Sequence, residues 1–229
     1  MSDLIENLPL LECQFWLEGV ERKLSKFAVS GVFDGVEQSR SESYKKSLGV
    51  ERGRLFKRIR QVIDTDGDCR KDAHNFVRAM RDLAKENNVI AQYRDEIESI
   101  LKRGSVRPNL NESYPIDSLR LIEARIRLES IERRLSVLAL TGKLDGSDEN
   151  ITARKNALAE EKSKILFRIR FLRETEGDVR KQTFEFVGKM RTLASQCEAL
   201  ATYVDQMDSI IRRSCLRKKE SKGNQNERG

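Results

Sequence analysis

Few side chains in this sequence could perform nucleophilic or acid–base chemistry. There is one histidine, His74, and there are four cysteines, Cys13, Cys69, Cys197 and Cys215. A zinc site or a disulfide framework needs such residues paired at fixed spacing, and these four show no pairing. We therefore predict free reduced thiols and no metal, cofactor or catalytic residue, so the protein is not expected to be an enzyme.

Acidic residues cluster at two similar stretches, DTDGD at 64–68 and ETEGD at 174–178. A calcium loop would need more carboxylates at alternate positions than either stretch supplies. Thr65 with Asp68, and Thr175 with Asp178, instead fit the start signal of a helix, in which a hydroxyl and a carboxylate meet free backbone N–H groups. The sequence predicts two helix caps at these corners.

The two corners belong to an internal duplication. Residues 55–84 and 165–194 carry the same amino acid at 14 of 30 aligned positions. Such self-similarity indicates a repeated structural unit. The chain is therefore interpreted as two copies of one unit, offset by 110 or 111 residues.

Composition favours helices and argues against several classes of protein. Charged residues make up 35% of the chain, and 44 basic residues are interspersed with 37 acidic ones for a net charge of +7. This mixture is typical of solvated helix surfaces and does not favour a nucleic-acid footprint. The N-terminus lacks a signal-peptide pattern and no apolar run is long enough to span a membrane, so we predict a cytoplasmic protein, with the nucleus as an alternative.

Three apolar stripes of helical spacing recur in each copy. The first begins at Leu10, Cys13 and Leu17 and reappears at Leu121, Ala124 and Leu128. Two further helices are predicted at 38–63 and 66–103, with counterparts at 148–173 and 176–214. Short connections between such stripes indicate antiparallel bundles. We predict an all-α fold of two tandem antiparallel three-helix bundles with long helices, at 1–103 and 118–214, separated by a linker at 104–117 and followed by a disordered polar tail at 215–229.

The unit resembles the BAG domain, a three-helix module of co-chaperones that bind the ATPase domain of seventy-kilodalton heat-shock chaperones. The resemblance covers both copies and is carried by VSGVFDG (29–35), YKKSLGVERGRLF (44–56), VIDTDGD (62–68) and RETEGD (173–178). It implies a co-chaperone or adaptor that docks through its second and third helices.

The resemblance also implies a binding surface. The family's contact Glu falls on Glu51 and Glu161, and its Gln falls on Arg81 and Arg191. Its Asp falls near Gln61 and Phe171, and its Arg falls on Ala73 and Thr183. Basic neighbours at Arg70, Lys71, Arg180 and Lys181 could supply equivalent charge, because residues three or four apart share a helix face. The predicted partner-binding residues are Glu51, Arg70, Lys71, Arg81, Glu161, Arg180, Lys181 and Arg191.

Two alternatives stay open at this stage. The first is a spectrin-like scaffold or spacer, which apolar residues outside the stripes, such as Trp16 and Phe33, would favour. The second is a basic helical nucleic-acid binder, which would need a surface stripe free of acidic residues. The partner predicted by the main interpretation is a protein, with a seventy-kilodalton heat-shock chaperone as the specific candidate.

Overall fold

The computed structural model describes residues 5–108, 114–143 and 150–214, and these residues form helices and turns without any strand. The predicted all-α helical-bundle class is confirmed. The first copy contains α1 (Leu10–Ser30), α2 (Ser41–Asp66), α3 (Cys69–Leu83), α4 (Asn88–Ala91) and α5 (Arg94–Gly104). The second contains α6 (Leu121–Thr141), α7 (Ile151–Glu176), α8 (Val179–Leu193) and α9 (Val204–Ser214). Short 3-10 helices lie at Gln38–Arg40, Ile116–Ser118 and Glu198–Tyr203.

The third helix of each copy is broken, whereas the sequence predicted one long helix. In the first copy the break lies at Asn87, whose backbone is extended and whose side-chain oxygen accepts hydrogen bonds from the N–H groups of Val89 and Ile90. Asn87 therefore starts a new helix. Cys197 has the same extended backbone in the second copy, and there a 3-10 turn follows. After each break the chain turns back, so α5 packs on α3 and α9 packs on α8.

The two acidic corners are helix caps, as predicted, although the carboxylates alone do the capping. Asp68 accepts a hydrogen bond from the N–H of Arg70, and Asp178 accepts one from the N–H of Arg180. The threonine hydroxyls bond back into the preceding helices instead. Gly67 (φ 77°) and the equivalent Gly177 (φ 76°) turn the chain between the helices. A side chain would be strained at this positive φ, which explains a glycine at both corners.

The helices are grouped differently from the predicted bundles at 1–103 and 118–214. The hairpin of α1 and α2 packs against the hairpin of α6 and α7, and the most extensive helix contact of the molecule joins α1 to α6. The broken third helices of the two copies pack against each other in a separate group, mainly through α3 and α8. Each group therefore contains helices from both copies.

The buried side chains follow the same division. The largest core joins Phe76, Met80 and Ile97 of the first copy to Phe186 and Met190 of the second. Smaller cores fill the α1–α2 hairpin and the α6–α7 hairpin. An apolar stripe must be buried against some surface, and here the third-helix stripes of the two copies bury each other. This mutual burial is the physical reason for the departure from two separate bundles.

The contacts between the two copies bring equivalent residues together. Glu18 and Glu129 both lie beside Arg180, and the Sγ of Cys197 lies 4.0 Å from the side-chain oxygen of Asn87. In a homodimer interface, too, the same surface patch faces itself. The contact between the copies therefore resembles a homodimer interface within one chain.

Several further predictions can be compared with the structure. Cys13, Cys69 and Cys197 are free and buried, and burial raises the pKa of the Cys13 and Cys69 thiols. Cys215 and the rest of the predicted disordered tail, 215–229, lie outside the described residues. In the predicted linker, the described residues 105–108 and 114–115 are not helical. No helix of the described ranges is both long and apolar enough to cross a membrane.

Candidate functional site

Charged groups are built into the contact between α1 and α6. Glu21 of α1 pairs with Arg52 of α2 at 3.0 Å, and the equivalent Glu132 of α6 pairs with Lys162 of α7 at 3.0 Å. Both carboxylates are almost fully buried. Burial raises the pKa of Glu21, and the nearby Arg52 opposes that rise. The amine of Lys162 also donates to the hydroxyl of Ser25, 2.5 Å away in the other copy, which joins the two hairpins.

Arginines from both copies form a cluster next to these pairs. Arg180 lies 3.3 Å from Glu129 and 3.8 Å from Glu18, and Arg125 pairs with Asp178 at 2.5 Å. Arg70, the counterpart of Arg180, donates to the side chain of Gln14. Burial lowers the pKa of Arg180, and the positive charges of Arg70 and Arg125 lower it further. The cluster thus brings arginines of both copies together with the carboxylates of Glu18, Glu129 and Asp178.

The arginine cluster forms one end of an open groove, which we call the inter-repeat groove. It lies between α1 of the first copy and α6, α7 and α8 of the second, and it has a volume of about 1440 Å³. Phe15, Val29 and Leu166 contribute exposed apolar surface to it, and the first and last are 51% and 42% exposed. Arg170, Arg173 and Lys181 lie among them. The groove thus combines accessible apolar side chains with charged ones.

The equivalent position in the first copy is more covered. Phe56 corresponds to Leu166, but its ring lies under two guanidinium groups, those of Arg52 at 4.7 Å and Arg133 at 5.6 Å. Such cation–π contacts shield the ring from solvent. The duplicated units have therefore diverged at this position, and the second copy carries the exposed apolar residue.

The structure brings only some of the predicted partner-binding residues together. Arg70, Arg180 and Lys181 line the inter-repeat groove. The other five do not: Lys71 is exposed, Arg81 is half-buried, Arg191 pairs with Asp208 at 2.5 Å, Glu161 pairs with Arg127 at 2.5 Å, and Glu51 accepts a hydrogen bond from the indole of Trp16.

The positions at which the resembled family carries its Arg are inside the protein. Ala73 and Thr183 are both buried, and Ala73 belongs to the core shared by the two copies. Neither Ala73 nor Thr183 is therefore accessible to a partner protein in this fold. Near the family's Asp, Gln61 is exposed and Phe171 is 47% exposed.

Sequence reasoning missed the apolar residues of the groove. It singled out Trp16 and Phe33 as apolar residues outside the stripes, but Phe33 is buried and stacks on Phe27 with ring centroids 4.4 Å apart. Phe15 and Leu166 also lie outside the buried stripes, and that position was the available signal for them. Only the structure shows that both face the same groove.

The described residues contain no group of three or more His, Cys, Asp or Glu side chains that could hold a metal ion. His74 is half-buried and is not among the residues that line the groove. Burial lowers its pKa, and the charge of Arg78 acts in the same direction. Comparison with known proteins finds no match among family models, curated proteins or solved structures.

Proposed function

We propose that this protein is a non-catalytic helical adaptor that binds a partner protein through the inter-repeat groove. The observation that carries the proposal is the convergence of Phe15, Val29 and Leu166, all exposed, in one groove between the copies. Exposed apolar side chains that line one groove among polar residues are typical of protein interaction sites. Single exposed apolar residues would not carry this argument, because they are common on protein surfaces.

The size and charge of the groove favour a protein partner over other ligands. Its volume of about 1440 Å³ exceeds the roughly 300–1,000 Å³ of small-molecule pockets. Its lining mixes nine Arg or Lys side chains with six Asp or Glu side chains. Carboxylates such as Glu18 and Glu174 would repel a phosphate backbone, which makes a nucleic acid a poorer fit.

The BAG-like co-chaperone stays a specific form of this proposal. Glu51 and Glu161 are the family contacts that the sequence retains, and both lie on the second helices that the family uses for docking. The family's Arg is replaced by Ala73 and Thr183, and both positions are buried. Binding to a chaperone would therefore have to rely on other residues, among them Arg70 and Lys181 of the groove. We therefore expect weaker binding than that of a typical family member.

The adaptor proposal is tested by comparing two neighbouring substitutions in the full chain. Leu166→Glu places a charge in the groove, whereas Phe167→Glu places the same charge at a 72% exposed position that does not line it. Partners captured from a cell lysate are identified by mass spectrometry for the wild type and both variants. We expect at least one protein to be lost with Leu166→Glu and retained with Phe167→Glu. Identical sets for all three chains would contradict the proposal.

The co-chaperone form has its own experiment. The full chain is titrated by calorimetry against the purified ATPase domain of a seventy-kilodalton heat-shock chaperone, with and without ADP. Binding that is lost in Glu51→Lys or Glu161→Lys, with helicity unchanged by circular dichroism, supports it. Absence of binding by the wild type rejects the co-chaperone and leaves the adaptor proposal to the capture experiment.

A further inference from the structure

We propose that the partner segment bound in the inter-repeat groove is an amphipathic α-helix with acidic residues on both sides of its apolar stripe. This inference rests on the proposed adaptor function and specifies the chemistry of the partner. Two independent features of the groove support it, the spacing of the residues on its walls and the balance of its charges.

The walls present rows of side chains at helical spacing. On α1 the lining residues recur every three or four positions, from Leu11 and Phe15 through Glu18 and Arg22 to Val29. On α7 they recur in the same way: Ala159, Lys162, Leu166, Ile169 and Arg173. Two such rows facing one groove form the holes that receive the side chains of a further helix.

The fold excludes one alternative way of binding a peptide. An extended segment is usually bound by adding a strand to a sheet edge. The described part of the chain contains no strand and hence no edge of this kind. A helix needs no such backbone partner, because its own N–H and C=O groups are already paired. The described fold therefore offers no site for a peptide bound as an added strand, whereas the groove can receive a helix.

The charge balance favours acidic residues on that helix. The lining carries nine basic and six acidic side chains, a net charge of +3. Seven of the basic residues and five of the acidic ones lie in ion pairs with described residues, whereas Arg70, Arg170 and Glu174 have no ion-pair partner there within 4 Å. Lys181 is 76% exposed beside its partner Glu185. Because basic residues outnumber acidic ones, the groove keeps an excess of positive charge for a partner.

The same balance argues against the chain's own C-terminal segment as the occupant. Residues 215–229 contain five basic and two acidic side chains. Their net positive charge has the same sign as that of the groove, and like charges disfavour association. A separate acidic helix is the complementary occupant.

The probe is a pair of synthetic 21-residue helical peptides that share one leucine stripe and differ only in the flanking residues, Glu in one and Lys in the other. Each peptide is labelled and titrated with the full chain by fluorescence anisotropy at low salt. We expect the Glu peptide to bind at least about tenfold more tightly, since several exposed ion pairs together reach that ratio. We also expect added salt to weaken it. Equal binding of the two peptides, tighter binding of the Lys peptide, or no binding of either would overturn the inference.

Charge reversal inside the groove tests the same inference, and charge reversal outside the groove is its control. The double variant Arg170→Glu with Arg173→Glu should reduce or invert the preference for the Glu peptide. Lys164→Glu, on the same helix but outside the groove, should leave it unchanged. A preference that survives the double variant would place the binding elsewhere and reject the inference.

Two further results separate the inference from the proposed function. Suppose that Leu166→Glu loses a cellular partner but the Glu peptide does not compete for that partner. The proposed adaptor function is then supported, and the inference of an acidic partner helix is rejected. If the groove instead joins two copies of the chain, sedimentation of the wild type shows a dimer that Leu166→Glu dissociates, and this also rejects the acidic helix.

Discussion

Arg213, near the end of α9, donates a hydrogen bond to the backbone carbonyl of Asp66, with Nη1 and O 2.6 Å apart. The two residues belong to different copies, and the bond caps the C-terminal end of α2. The equivalent Arg103, near the end of α5, donates to the carbonyl of Glu176 at 2.5 Å and so closes α7. Carbonyls at helix ends lack partners within the helix. Each copy therefore completes a helix of the other.

Because each copy caps a helix of the other, we predict that neither copy is stable alone. A protease site inserted between residues 108 and 114 would allow the folded chain to be cut into its two copies. We expect the cut halves to stay associated on gel filtration, because the core around Phe76 and Phe186 is shared. Each half isolated in denaturant and refolded alone should show reduced helicity, and mixing the halves should restore it. Two halves that separate as folded monomers would refute this prediction.

The arginine contacts should contribute measurably to stability. Arg213→Ala removes the bond to Asp66 and a 2.9 Å ion pair with Asp72, and its side chain is only 17% exposed. Hydrogen bonds to charged groups contribute roughly 1.5–3 kcal/mol. We therefore expect a loss of about 1–3 kcal/mol in the free energy of unfolding, measured by chemical denaturation. The neighbouring exposed Arg212→Ala is the control and should change it by less than about 0.5 kcal/mol; equal effects of the two variants would argue against the capping role.

The sequence predicted the helices more successfully than their arrangement. The repeat, the corners at Gly67 and Gly177, and burial at positions such as Leu128 are all found in the structure. A stripe shows that one helix face is buried but does not specify the surface that covers it. Two separate bundles and the observed packing between the copies bury the same stripes. The apolar pattern alone therefore could not distinguish the two arrangements.

The break in the third helix shows a second limit. Asn87 interrupts the apolar stripe, and its role as the cap of a new helix depends on the backbone that it adopts. Counting on from Leu193 at helical spacing would place Ile211 on the buried face, but after the equivalent break at Cys197 Ile210 is fully buried and Ile211 only half-buried. Leu193, just before the break, is also half-buried. The groove could not be predicted for the same reason, since it forms only where helices of both copies meet.

The shared core predicts that damage to one copy unfolds both. Phe76 and Phe186 are equivalent residues, and both are fully buried in that core. Phe76→Ala and Phe186→Ala should each lower the free energy of unfolding by roughly 3–5 kcal/mol. In either variant we expect one cooperative transition, followed by circular dichroism during denaturation, because the copies share their core. Two transitions with only one of them shifted would show that the copies unfold independently.

We predict that Glu123, at the start of the second copy, makes the stability of the protein depend on pH. Glu123, near the N-terminus of α6, is fully buried and pairs with Arg107 at 2.5 Å. Its carboxylate also accepts hydrogen bonds from the backbone N–H groups of Arg107 and Arg120, each at 3.0 Å. Burial raises the pKa of this carboxyl, but the bonds from Arg107 and the two backbone donors outweigh burial and hold the pKa at about 2.

Because the folded pKa lies below the ordinary value of 4.5, the folded chain binds this proton more weakly than the unfolded chain does. The stabilisation is therefore complete above about pH 4.5 and is lost as the pH falls towards 2. The shift corresponds to about 3 kcal/mol at 1.36 kcal/mol per pKa unit. Denaturant titrations between pH 7 and pH 3 should show Glu123→Gln less stable than the wild type at pH 7, and the difference should shrink with acidification. A difference that stays constant with pH would show that the ionised Glu123 does not provide this stability.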